Sequence, residues 1–162
     1  MNVGLNVIGF LPGGFGGTET YFRNLLYYLQ EIDHENNYAL LCDAQNIHEF
    51  SLFNPLFKTK SYNFAKQSLQ WLVRGLLRAA INVDILLPKL TRAGIDVIHH
   101  PFTVANPRGL KIPSVLTFHD MQEEFYPHFF TASELRRRKV AYKASANEAT
   151  RIIAISEYTR QC

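Results

Sequence analysis

Pro113–Pro127, PSVLTFHDMQEEFYP, is the stretch whose reading decides the fold. Ser114, Val115, Leu116, Thr117 and Phe118 form an apolar, β-branched and aromatic run that stops abruptly at His119 and Asp120. A run of this kind suits a strand covered on both faces, as in a parallel sheet. In open α/β sheets ligands bind outside the carboxyl ends of the strands, so an imidazole and a carboxylate delivered there stand where chemistry usually occurs. A purely structural His-Asp pair closing a strand is the competing reading.

Size and composition narrow the fold further. A chain of 162 residues supports one domain with a real core and is too short for two of ordinary size. Apolar residues make up 47% and charged residues 19%, which argues against disorder. A net charge of +3 is too small to imply nucleic acid, and the one dense basic run, Arg136-Arg137-Arg138-Lys139, falls inside a helical pattern and reads first as a solvated face. Cys42 and Cys162 are far apart, so they suggest neither a zinc site nor a disulfide framework, and a reducing compartment is expected. The N-terminus lacks the basic region and cleavage site of a signal peptide. The longest helical stretch, Phe64 to Leu90, is broken by Lys66, Arg74, Arg78 and Asp84 and does not read as a membrane span.

Working outward from the central strand, Val3 to Phe10 reads as a first strand running into Leu11-Pro12-Gly13-Gly14-Phe15-Gly16-Gly17. A helix follows, with Thr18 as its expected cap, Glu19 in its first turn, and Tyr21, Phe22, Leu25, Leu26 and Leu29 on one apolar face. Glycines allow close backbone approach, and free N–H groups at a helix start favour an anion such as a phosphate. Gly14-x-Gly16 lacks the third glycine of a dinucleotide fingerprint, because Glu19 stands there, and no P-loop motif is present. A tight β-to-α turn with no ligand is the plain alternative.

Tyr38–Cys42 and Lys58–Asn63 are expected strands, while His34 and His48 read as surface residues. From Phe64 to Ala80 the apolar spacing predicts a helix with Leu69, Leu72, Val73, Leu76 and Leu77 facing a core and Trp71 beside them. A second helical segment, Asp84–Arg92, contains Pro88, expected to kink or break it, and ends at Gly94. Asp96–His99 is a short strand closed by His100-Pro101, and Asn106-Pro107-Arg108-Gly109 a turn. His99, His100, His119 and Asp120 lack helical metal-ligand spacing, and no metal is expected. Met121–Phe130 reads as an aromatic-walled loop in which adjacent Glu123 and Glu124 do not make a facing acid–base pair. Thr131-x-x-Glu134 is a capping box opening a helix to about Ala149. Arg151–Ile155 is a last strand, and Ser156 caps a single further turn; an isolated turn is unstable in water, so more sequence is expected after Cys162.

Three segments in this order resemble the N-terminal half of retaining glycosyltransferases of the GT-B fold, the group-1 family that includes many bacterial mannosyl- and glucosyltransferases. They are GGFGGTETYFRNLL (Gly13–Leu26), DVIHHP (Asp96–Pro101) followed by the central PSVLTFHDMQEEFYP, and RIIAISEYTR (Arg151–Arg160). The resemblance implies an α/β, Rossmann-like doubly wound parallel sheet with helices on both faces. Residues 1–162 would be one half of a two-domain GT-B fold, the acceptor side, with the donor-binding C-terminal domain outside this chain.

It further implies transfer of a sugar from a nucleotide-sugar donor to a glycan or lipid-linked acceptor, with retention at the anomeric carbon and no cofactor. His119 and Asp120 would be the catalytic pair, His119 beside the transferred sugar. Gly16, Gly17 and Thr18, with His99, Ser156 and Arg160, would contact the donor diphosphate or the acceptor. The basic residues and carboxylate motif that act on the leaving diphosphate belong to the missing domain, so no transfer is expected from this chain alone. A cytoplasmic enzyme in peripheral contact with the inner face of a membrane, through Arg136–Lys139 if the acceptor is lipid-linked, is the expected setting. The competing classes are a non-catalytic carbohydrate- or lipid-binding module of the same fold and an unrelated nucleotide-binding Rossmann domain.

Overall fold

A computed structural model describes residues 1–14, 16–63, 69–81 and 83–161 of the chain. Six strands, β1 (Asn2–Asn6), β2 (Asn37–Asp43), β3 (Phe57–Tyr62), β4 (Val97–His100), β5 (Ser114–Phe118) and β6 (Arg151–Ala154), form one sheet in the order β3-β2-β1-β4-β5-β6. Every pairing is parallel, from Asn2 beside Asn37 at one edge of the register to Phe118 beside Ala154 at the other. This is the doubly wound order, in which the chain winds outward one way from β1 and the other way from β4. The expected Rossmann-like α/β fold is the observed one.

The helices are α1 (Gly17–Ile32), α2 (Leu69–Ile81), α3 (Leu87–Thr91), α4 (Gln122–Phe125), α5 (Ala132–Glu148) and α6 (Glu157–Gln161). They close two cores. On one face Leu5, Val7, Leu40 and Cys42 meet Phe22 and Leu26 of α1, with Tyr21, Leu25 and Leu29 packed at the margin, as the apolar stripe of that helix predicts. On the other, Leu41 and Ile98 meet Leu86, Leu90 and Ile95. Alternate residues of β2 thus serve opposite cores, the period-two consequence of a strand covered on both sides. Burial, and then the Asp43 carboxylate, push the Cys42 thiol up to about 11, so it is a packing residue.

Several local expectations change. The first strand stops at Asn6, short of the expected Phe10, because the Asn6 side chain accepts from the Ile8 N–H and folds the chain into a turn. Gly16, at φ 52°, is the N-cap of α1 in place of Thr18, and it makes no side-chain cap bond because it has no side chain. Pro88 lies in the first turn of α3, where its missing N–H costs nothing, and does not kink a longer helix. The aromatic segment after Asp120 forms α4 and a 3₁₀ turn at Pro127–Phe129, not a loop throughout. The capping box at Thr131 and Glu134 is present in both directions, and His34 and His48 are exposed.

The largest correction concerns α2. Its expected first residues, 64–68, lie outside the described residues, as do Phe15 and Cys162. Leu69, Trp71, Leu72, Val73 and Leu76 are exposed, and Leu77 is half-buried; the buried position is Arg74. Arg74 forms a bidentate pair with Asp84 at 2.7 and 2.7 Å, both side chains under a tenth exposed, and donates at 2.5 Å to Asn106 Oδ1. Among the described residues a buried ion pair, not an apolar stripe, docks this helix. Among the described residues no helix is long and apolar enough to cross a membrane.

Candidate active site

The strand order reverses between β1 and β4, which leaves a crevice at the carboxyl ends of the central strands. β4 delivers His99 and His100 there, and β5 runs into His119 and Asp120. A cleft of about 500 Å³ opens at this end, lined by Gly14 and Thr18 from the glycine loop and α1, by His119 and Asp120, and by Arg137 and Arg138 of α5. The fold thus brings the glycine-loop segment and the His-Asp pair, a hundred residues apart in the chain, onto one cavity.

His119 is buried and held from several sides. Its Nε2 lies 2.6 Å from the Pro101 carbonyl oxygen, which can only accept, so the network assigns the proton to Nε2. Its backbone N–H donates to Thr103 Oγ1, its backbone oxygen accepts from Thr159 Oγ1 at 3.2 Å, and Tyr21 meets the ring edge-on at 5.0 Å. Among the described residues Nδ1 has no hydrogen-bond partner. Thr103 itself sits at φ 59°, unfavourable for a β-branched residue, and strain of this kind concentrates beside functional groups.

A buried polar layer supports this surface. His99 Nε2 is 2.8 Å from Thr117 Oγ1, which is 3.2 Å from the Tyr21 hydroxyl. His100 Nδ1 accepts from Asn6 Nδ2, which also donates at 2.6 Å to the Asn106 carbonyl. Burial, then the neighbouring His119, bring His99 down to about 4; burial, then His99, do the same for His100. Both rings are therefore neutral at physiological pH. They are tied to separate partners, and among the described residues no group of three or more His, Cys, Asp or Glu is placed to hold a metal ion.

The predicted site residues divide accordingly. His119, Asp120 and Thr18 line the cleft, and Gly16 and Gly17 are exposed where α1 begins. Gly16 must be glycine for its positive φ, while a Cβ on Gly17 would meet open space. Asp120 is exposed and its Oδ1 accepts from the Gln122 N–H at 3.4 Å, opening α4. His99 is buried and is not on the cleft lining. Ser156 and Arg160 are engaged in α6, where Ser156 Oγ accepts from the Thr159 N–H and Arg160 pairs with Glu157. Arg160 lines a different cleft, of about 650 Å³, with Phe118, Tyr142 and Ile152. Glu123 is buried and 3.6 Å from Arg138, while Glu124 is exposed, so the two do not face each other.

Sequence reasoning missed Asn6, Tyr21, Thr103 and Thr117 as members of the site. None carries a local signal, because each matters through a contact formed across the sheet. Glu19, expected as a helix-start charge, also has a carboxylate that accepts from the Gly13 N–H at 2.8 Å and from Arg23, and so ties the glycine loop to α1.

Comparison with curated proteins and with solved structures gives no match. Residues 15–162 match the family model described as Glycosyltransferase Family 4. That match spans most of the chain and accords with the parallel Rossmann-like sheet: the chain belongs to Glycosyltransferase Family 4, a family of GT-B-fold, glycosyltransferase-type domains.

Proposed function

We propose that residues 1–162 are the acceptor-side half of a retaining glycosyltransferase that moves a hexose, of the mannosyl or glucosyl kind, from a nucleotide sugar to a glycan or lipid-linked acceptor. The observation that carries this reading is the single cleft joining Gly14 and Thr18 to His119 and Asp120 at the reversal of strand order. In this reading Gly16 and Gly17 let the backbone approach the donor diphosphate, and the exposed start of α1 favours its negative charge.

His119, clamped through Nε2, presents Nδ1 to a hydroxyl of the reacting sugar and orients it. Asp120 holds the turn into α4 and contacts ligand. His99 supports the floor through Thr117, and Ser156 and Arg160 face the side on which the second domain closes. The donor-binding domain, supplied outside these residues, brings the charges that stabilise the leaving diphosphate, so chemistry needs no metal and no cofactor from this half. The setting is cytoplasmic, with peripheral contact at the inner face of the membrane.

The test is glycosyl transfer measured with a panel of nucleotide sugars, once with the chain alone and once with the chain joined to a donor-binding domain. The reading expects no turnover from the first, turnover from the second, and a loss of about a hundredfold or more in the second for His119→Ala, the scale on which a misplaced reacting group costs rate. Turnover by the chain alone overturns the division of labour. Tight glycan binding without transfer in the joined protein favours a binding module instead.

A further inference from the structure

Tyr21 belongs to the apolar stripe of α1, where a purely apolar side chain would serve the packing against the sheet. Its hydroxyl nevertheless lies 3.2 Å from Thr117 Oγ1, and Thr117 Oγ1 lies 2.8 Å from His99 Nε2. Thr117 is fully buried and His99 is 8% exposed. Valine would suit the place of Thr117 in a covered strand without a hydroxyl to satisfy. Two hydroxyls and an imidazole thus form a polar line through ground that packing alone would leave apolar, and a satisfied buried line of this kind specifies one arrangement of the groups it joins.

The line ends against His119. The Tyr21 and His119 rings are 5.0 Å apart between centroids, with 83° between their planes. The other hold on the imidazole is a single bond, between Nε2 and the Pro101 carbonyl oxygen at 2.6 Å. One hydrogen bond fixes one atom of a ring and leaves the ring able to tilt about it, because the terminal torsion of histidine is soft. A second ring packed edge-to-face removes that freedom. The Thr117 hydroxyl has one proton for two partners, so it donates to one and accepts from the other, and the line holds with either tautomer of His99.

We propose that Tyr21 is the positioning residue of His119: anchored through Thr117 to His99, its ring fixes the plane of the imidazole and keeps Nε2 on the Pro101 carbonyl. The inference rests on the reading of His119 given above and adds the residue through which α1 controls it. Thr18, one turn earlier on the same face of α1, lines the cleft that His119 lines. The helix that follows the glycine loop therefore also sets the imidazole, and loop and ring keep one geometry relative to each other.

The experiment is nitrogen–proton NMR of the histidine rings in the 162-residue chain, at about pH 8, where an ordinary imidazole is neutral, with no donor or acceptor present. His119→Gln assigns the resonances. Tyr21→Leu, Tyr21→Phe and Thr117→Val are compared with Leu25→Ala, a packing change on the same helix, after circular dichroism has shown each to be folded. The unaltered chain should show His119 as one tautomer with its proton on Nε2. Tyr21→Leu should average the two ring nitrogens toward a tautomer mixture, while Tyr21→Phe and Thr117→Val move them part of the way and Leu25→Ala leaves them in place. The double variant Tyr21→Phe/Thr117→Val should go no further than the larger single change, because both break one line. Tyr21→Phe, which keeps the ring, carries the test where Tyr21→Leu does not fold. In the chain joined to a donor-binding domain, Tyr21→Leu should lower kcat by about tenfold or more with KM little changed, the mark of a group that acts on reacting geometry. An unmoved His119 tautomer in Tyr21→Leu, or a displacement in Leu25→Ala as large as in Tyr21→Leu, overturns the proposal. Because the tautomer is read without donor or turnover, this result and the transferase reading can each fail without the other.

Discussion

Asp84→Ala is the substitution that most sharply examines how the site is held. Arg74 and Asp84 have side chains only 8% and 7% exposed, and their two bonds of 2.7 Å are the buried contact of α2, most of whose described apolar residues are exposed. Removing the carboxylate strands a buried guanidinium, which costs about 3–5 kcal/mol when one partner of a buried pair is lost. At about 2–4 °C per kcal/mol for a domain of this size, the midpoint should fall by roughly 6–20 °C. The double variant Arg74→Met/Asp84→Leu should recover most of the loss, because an apolar pair of similar volume needs no charge compensation.

The pair also carries a pH signature. Burial alone would raise the Asp84 carboxyl, but the Arg74 hydrogen bonds, the Leu86 N–H and the charges of Arg74 and Arg78 hold it below the usual range. A carboxyl depressed on folding contributes stability above its unfolded pKa, about 3.9, and loses it as pH falls through the lower folded value. Urea unfolding followed by far-UV circular dichroism reads both effects. A cost for Asp84→Ala under about 1 kcal/mol, or a double variant no more stable than the single, would refute the claim that this pair docks α2 and, through Asn106, the 106–109 turn.

Other perturbations address other links. His99 and His100 are both neutral in the fold, with pKa values brought to about 4 from an unfolded value near 6.5, so the unfolded chain binds more protons between those limits and stability falls as pH drops through that window. The ceiling is about 1.4 kcal/mol per pH unit per histidine; from pH 7.5 to 5.5 the pair should cost up to about 2–3 kcal/mol, and an unchanged urea midpoint over that interval would contradict it. Gly4→Ala would place a Cβ 3.0 Å from Ile95 Cδ1 and 3.1 Å from its Cγ2, an overpacking worth about 1–3 kcal/mol that Ile95→Val should relieve in a double-mutant cycle. Thr131→Ala removes the cap from the Glu134 N–H and should lower stability by about 1 kcal/mol, read by thermal melting.

The parts of the fold legible in the sequence were those fixed by local chemistry. The run Ser114–Phe118 suited a doubly covered strand, and Thr131-x-x-Glu134 matched a capping box; both elements stand where they were expected. What periodicity cannot supply is the partner of a face. The apolar spacing of α2 is real, yet Leu69, Leu72 and Leu76 have nothing over them among the described residues, and the contact that fixes the helix is made by the residue a hydrophobic reading discards, Arg74. Likewise the His-Asp pair was visible at the end of β5, whereas Thr117, Tyr21 and Asn6 join it only through strand order, which sequence pattern leaves open. Arg136 and Arg137 read as part of one solvated face, and the fold sets them on one cleft lining with Arg78 and Arg108.

The most direct test of the account is sugar transfer from a nucleotide-sugar donor by the chain joined to a donor-binding domain, with and without His119→Ala. The account predicts turnover in the joined protein, none in the 162-residue chain, and a loss of about a hundredfold or more when the clamped imidazole is removed. Turnover that is indifferent to His119, or that the isolated chain already performs, would contradict it.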